Sequence, residues 1–234
     1  RAAGSKMFTV NNFAPLSPLL SITRYRILVR SRLGRLGIAA LCVPALQLLG
    51  AALLPAHAAT GSAASDNSLI LISSAMVLLM TPGLAFFYGG FVQGRNVLNT
   101  MGMSIVMMGI ATLTWAGVGF SLAFGDGGSW NAVIGNPFDH ALLENLSGTW
   151  DGLTIPGLSF ALFQGMFAVI TPALISGALV ERIRVKAFVL FVVLWSLVVY
   201  SPVAHWVWAP GGWLRARGVL DFAGGTVVHI NAAA

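Results

Sequence analysis

The sequence is short of charge. Only 9% of its 234 residues are Asp, Glu, Lys or Arg, against about 25% in ordinary soluble domains. Hydrophobic residues make up 57%, and they fall in runs too long and too free of charge for a water-soluble core. Cysteine is nearly absent too. Cys42 is alone, so the chain can form no internal disulfide and no thiolate metal cluster. The apolar runs also lack paired acids, metal-ligand spacings and serine–histidine constellations, which argues against an intramembrane enzyme. No metal or cofactor is expected.

The charge that is present is uneven. A net charge of +6 would by itself invite a nucleic-acid partner. Yet Arg1, Lys6, Arg24, Arg26, Arg30, Arg32 and Arg35 all precede the first acid, Asp66. The remaining six basic residues face seven acids, a net charge of −1, and the nucleic-acid reading goes with them. The basic stretch, the apolar run 36–54 and Ala56-His57-Ala58 together read as a secretory signal cleaved after Ala58. Residues 1–58 are therefore expected to be an N-terminal extension and signal peptide, with an uncleaved signal anchor as the alternative. Leu41 before Cys42 does not suit a lipoprotein signal, and Met7 is a candidate start.

After a Gly/Ser/Asp stretch at 61–68, expected to be a linker, come apolar segments at about 69–90, 97–124, 156–180 and 187–208. Each is near or above the ~20 residues a spanning helix needs. A fifth begins at Leu220 and reaches Ala234 after about 15 residues, or ~22 Å at 1.5 Å per residue, short of a ~30 Å hydrocarbon core. The expected fold class is an all-α polytopic membrane protein, with residues 59–234 a partial membrane domain. Arg95 lies between the first two spans, and Arg182, Arg184 and Lys186 lie between the third and fourth. The positive-inside rule puts both loops in the cytoplasm and the mature N-terminus outside. Arg215 and Arg217 run against that scheme.

Several segments have residues suited to a path for a small cation. The first span ends in Thr81-Pro82-Gly83-Leu84-Ala85-Phe86-Phe87-Tyr88-Gly89-Gly90, a setting for close helix packing or for irregular backbone beside a cavity. Phe163 and Phe167 are spaced i, i+4 on one helical face, with Gln164 beside them and Thr171 a turn further. Such rings ordinarily face lipid or other helices, but they can also hold a cation or block a narrow way. Trp206 and Trp208 close the fourth span, as interfacial anchors or as part of a cation-attracting vestibule with Phe163. Asp221, Gly225 and His229 are spaced i, i+4, i+8, which predicts one side of a helix. Asp221 can cap that helix or meet substrate. His229 falls deep in the span, where an ionisable group marks a pathway or an interhelical partner.

Four stretches together resemble the ammonium transporter (Amt/Rh/methylammonium permease) family: Pro82 to Gly90, Phe163-Gln-Gly-Met-Phe-Ala-Val-Ile-Thr171, Gly177-Ala-Leu-Val-Glu-Arg-Ile-Arg184 and Asp221-Phe-Ala-Gly-Gly-Thr-Val-Val-His-Ile-Asn231. The likeness runs from about Asp66 to Ala234. Arg95 stands where the family pattern leads us to expect lysine. The resemblance implies two inverted five-helix halves, of which this chain would hold the first, truncated in its fifth helix. It also implies a homotrimer with one pore per subunit in the bacterial inner membrane. The implied substrate is ammonium or ammonia, with methylammonium as analogue, and a PII-type protein is an implied cytoplasmic partner. By motif, Phe163, Trp208 and Asp221 correspond to the outer substrate site, Phe167 to a gate ring and His229 to a pore histidine. The alternative function is an ammonium sensor driving a cytoplasmic signalling domain; a nonfunctional gene fragment is a further one.

Overall fold

The computed structural model describes residues 61–234; the expected signal, its cleavage site and Cys42 lie outside them. Four helices are long and apolar enough to cross a bilayer, at Ala63–Gly90, Val97–Phe124, Gly157–Leu179 and Val185–Ala216. The first span is α1 (Gly61–Gly90). The second runs through α2 (Val97–Thr114), a π-helical turn (Trp115–Gly119) and α3 (Phe120–Phe124). The third is α4 (Gly157–Leu179). The fourth comprises α5 (Val185–Trp195), a second π-helical turn (Ser196–Tyr200) and α6 (Ser201–Trp208), with the short α7 (Trp213–Ala216) beyond it. A third π-helical stretch (Gly225–Ile230) leads into α8 (Asn231–Ala233).

The span boundaries follow the hydropathy of the sequence closely, with one correction. Residues 61–68, expected to be a linker, are the first two turns of α1. Ala63 and Ala64 favour helix, the Ser68 hydroxyl donates to the Ala64 carbonyl at 2.9 Å, and Asp66 accepts a 2.6 Å bond from the Thr154 hydroxyl in the loop before α4. Side-chain bonding and helix propensity outweigh the polar composition there. Further along, α1 continues through Pro82, although proline brings no N–H to the backbone ladder.

The third span is the most enclosed, with 67% of its apolar window buried, and α1 the least, with 17%. Leu69, Ile72, Met76, Leu79, Phe86 and Phe87 stand exposed along α1. In water their exposure would forfeit roughly 25 cal/mol for each Å² of apolar surface left uncovered; lipid or another protein surface removes that cost. Small residues let the helices close up. Gly177 lies directly under the Tyr88 ring, where a Cβ would collide with it, and the Tyr88 hydroxyl donates to the Leu174 carbonyl at 2.9 Å. A Cβ on Gly89 would sit 3.0 Å from Met101 Cγ.

The π-helical turns of the second and fourth spans face each other. Trp115 and Tyr200 meet edge-on with ring centroids 6.1 Å apart. A wide turn pairs a carbonyl with the N–H five residues on. The Ser196 carbonyl accepts that bond from Ser201 and a second, at 2.9 Å, from the Ser201 hydroxyl. The Trp115 indole donates to the Ala161 carbonyl at 3.0 Å. Around this pair Phe120, Phe124, Trp150 and Phe160 form the largest aromatic cluster, with Trp150 and Phe160 stacked at 4.7 Å.

Candidate functional site

Trp208 ends α6, and Phe167 and Phe163 lie one turn apart on α4. The Phe163 and Phe167 rings meet edge-on at 5.1 Å, and the Phe167 ring meets Trp208 at 5.6 Å. The sequence set Trp208 and Phe163 in one vestibule; in the structure the Phe167 ring meets both. All three are half-buried, leaving ring surface open. Thr171, one turn along, is buried and donates back to the Phe167 carbonyl at 2.6 Å, so its hydroxyl serves the helix.

The arrangement around Asp221 also differs from the expected helical face. Asp221 precedes the helix rather than lying on it, and the turns that follow are π-helical from Gly225, so Asp221 does not share a helical face with Gly225 and His229. Its carboxylate instead caps the helix start. Oδ1 accepts from the N–H groups of Gly224 and Gly225 at 2.7 and 2.8 Å, and Oδ2 from those of Thr226 and Val227 at 2.8 and 2.9 Å. Four backbone donors at a helix N-terminus are served by one anion. Gly224 makes the turn possible: its φ is +83°, and a Cβ there would press on Val228. The Asp221 carbonyl in turn accepts the Trp208 indole N–H at 2.9 Å.

His229, two turns further, is exposed on this chain and borders a cavity of about 230 Å³. Val77, Met80, Leu84 and Phe87 of α1 and Phe167 and Ile170 of α4 are among the residues that line it. The same Phe167 ring therefore touches Trp208 on one side and bounds the His229 cavity on the other. The sequence left the end of the first span open between helix packing and the edge of a cavity; Leu84 and Phe87 of that stretch line one, together with Val77 and Met80, which the sequence did not single out. Met80, Leu84 and Phe87 recur at helical spacing through the Pro82–Gly83 segment, but nothing in the pattern told a cavity wall from a packing face. Among the described residues no group of three or more His, Cys, Asp or Glu side chains is placed to hold a metal.

A family model for the Ammonium Transporter Family matches residues 68–234. The chain belongs to that family. An ammonium transporter of Aquifex aeolicus is 50% identical over 168 residues, covering 71% of this chain and 39% of its own length. The crystal structure of Candida albicans Mep2 superposes with a TM-score of 0.66 at 36% identity, over 71% of this chain and 36% of that one. A structure of a sensor Amt protein gives 0.63 at 29% identity, over 70% and 40%. The chain thus spans about two-fifths of the relatives it matches, in the same all-helical polytopic fold. The family is one of membrane transporters, not enzymes.

The two cations that ran against the charge rule are engaged locally. The Arg215 guanidinium donates to the Trp208 carbonyl, and Arg217 lies 4.9 Å above the Trp213 ring, a cation–π contact. At the opposite end of the spans, Glu181 Oε1 accepts from the Asn96 side-chain amide at 2.6 Å and from the Gln93 N–H at 3.3 Å. That carboxylate ties the loop after α1 to the loop after α4.

Proposed function

We propose that this segment forms one wall of an ammonium path in a full-length membrane transporter. The observation that carries this reading is the shared position of Phe167, between Trp208 and the cavity that His229 borders. Ammonium, or methylammonium in its place, is attracted to the faces of Trp208, Phe163 and Phe167, each such contact contributing about 0.5–1 kcal/mol where exposed and up to about 2 kcal/mol where water is displaced. Phe167 then acts as the ring that the substrate must pass. Beyond it, His229 offers a nitrogen that can accept a hydrogen bond from an ammonium or ammonia N–H, which potassium cannot donate. Asp221 contributes by holding the helix start and Trp208 in place.

The exposed apolar face of α1 and the open side of His229 are surfaces for the remainder of the transporter to cover. In this reading the second inverted half supplies the opposite wall. The protein is a homotrimer of the bacterial inner membrane, with the Arg95 and Arg182 loops cytoplasmic by the positive-inside rule and available to a PII-type regulator. The test is substrate-induced current in proteoliposomes carrying the full-length protein. Wild type should give a current with ammonium and none with potassium, and His229→Ala should change its rate or selectivity. Unchanged current and selectivity in His229→Ala would remove His229 from the path. Ammonium binding without transport, in a protein whose last helix leads into a signalling domain, would favour the sensor.

A further inference from the structure

His205 takes no part in the proposed path, yet it is completely buried near the end of the fourth span. Both its ring nitrogens face backbone carbonyl oxygens: Nδ1 lies 2.9 Å from that of Ala123, at the end of the second span, and Nε2 lies 2.5 Å from that of Asn131. One ring nitrogen donates to the carbonyl it faces, and the tautomer decides which of the two carbonyls that is. Asn131 begins a run of three docked carbonyls. The Ala132 carbonyl accepts the Trp213 N–H at 3.2 Å, and the Val133 carbonyl accepts the Trp206 indole N–H at 2.6 Å. Gly211 and Gly212 let the chain turn back under this loop, since a Cβ on Gly211 would strike the Asn131 side chain and one on Gly212 the carbonyls of His205 and Trp206.

These donors bracket Trp208 in sequence, His205 and Trp206 before it and Trp213 after it. Trp208 is itself bonded to the carbonyl of Asp221, whose carboxylate organises the turn leading to His229. We infer that His205, with Trp206 and Trp213, latches the 131–133 loop onto the fourth span, and that this latch positions Trp208 against Phe167 and thereby sets substrate affinity. His205 is a positioning residue, acting through Trp208 without touching substrate. The inference rests on the ammonium path proposed above. A histidine that merely filled the core would affect how much protein assembles but not the affinity of what does.

The experiment compares full-length wild type, His205→Gln and Trp206→Phe in membranes, each normalised to assembled protein. Glutamine at 205 removes the ring that fits between the two carbonyls, and phenylalanine at 206 keeps a ring while losing one N–H. Methylammonium uptake should show KM raised about fivefold in each variant, the order expected for one lost hydrogen bond, with the maximal rate within about twofold of wild type. Amide hydrogen exchange should quicken at residues 224–227, which neither substitution touches. An unchanged KM in a protein that transports overturns the latch, and Trp206→Phe decides if His205→Gln fails to assemble. Absence of uptake by wild type overturns the path instead; the exchange at 224–227 then decides the latch, with wild-type rates in both variants counting against it.

Discussion

The indole N–H of Trp208 donates to the backbone carbonyl of Asp221 at 2.9 Å, joining the end of the fourth span to the turn that starts the helix carrying His229. The Asp221 side chain points the other way, into four backbone N–H groups. One residue thus fixes both Trp208 and the entry of the helix that carries His229.

Asp221→Asn is expected to destabilise the protein. An asparagine offers one acceptor oxygen and places an NH₂ where two backbone donors need an acceptor, leaving groups unsatisfied at about 1–3 kcal/mol. Thermal unfolding of the purified full-length protein should show a lower midpoint alongside reduced transport. Lost transport at an unchanged midpoint would show that Asp221 meets substrate directly.

Gly177→Ala and Gly89→Ala are expected to differ. At Gly177 the new methyl would enter the Tyr88 ring, which is held at Leu174 by its hydroxyl; at Gly89 it meets the flexible Met101 side chain. Overpacking of the first kind costs about 1–3 kcal/mol, so Gly177→Ala should lower thermal stability clearly more. Equal midpoints would mean that Tyr88 moves aside at little cost.

Glu181 combines a left-handed backbone, φ +63°, with the hydrogen bonds to Asn96 and Gln93. Glu181→Ala loses the bonds and keeps the strained backbone, whereas Glu181→Gly loses the bonds and relieves it. The glycine variant should be the more stable of the two by about 1 kcal/mol, read as a difference in unfolding midpoint. The reverse order would show that this φ is not retained in the variants.

Much of this was legible in the sequence, and the exceptions have physical causes. The span 97–124 coincides with Val97–Phe124 because bilayer crossing is written in length and hydropathy. The capping option at Asp221 was visible, beside a substrate role, because a carboxylate at a helix start meets free backbone N–H groups. The π-helical turns at Trp115–Gly119 and Ser196–Tyr200 left no mark, since widening a turn changes backbone pairing and not composition. The first turns of α1 were hidden by small polar residues, one of which, Asp66, is bonded by the distant Thr154. The contact of Trp208 with Phe167, and the two carbonyls at His205, arise where separate spans cross. No local spacing encodes that meeting.

The measurement that tests the account most directly is methylammonium uptake by the full-length protein carrying Phe167→Leu, compared with Phe163→Leu. Leucine keeps apolar bulk and removes the ring. Because Phe167 alone of the two touches Trp208 and bounds the His229 cavity, its loss should cost about tenfold in KM or selectivity, within the 1–2 kcal/mol of a desolvated cation–π contact. Phe163→Leu should cost about threefold or less. Equal effects of the two substitutions, or a larger one at Phe163, would contradict the placement of Phe167 at the junction of outer site and pore.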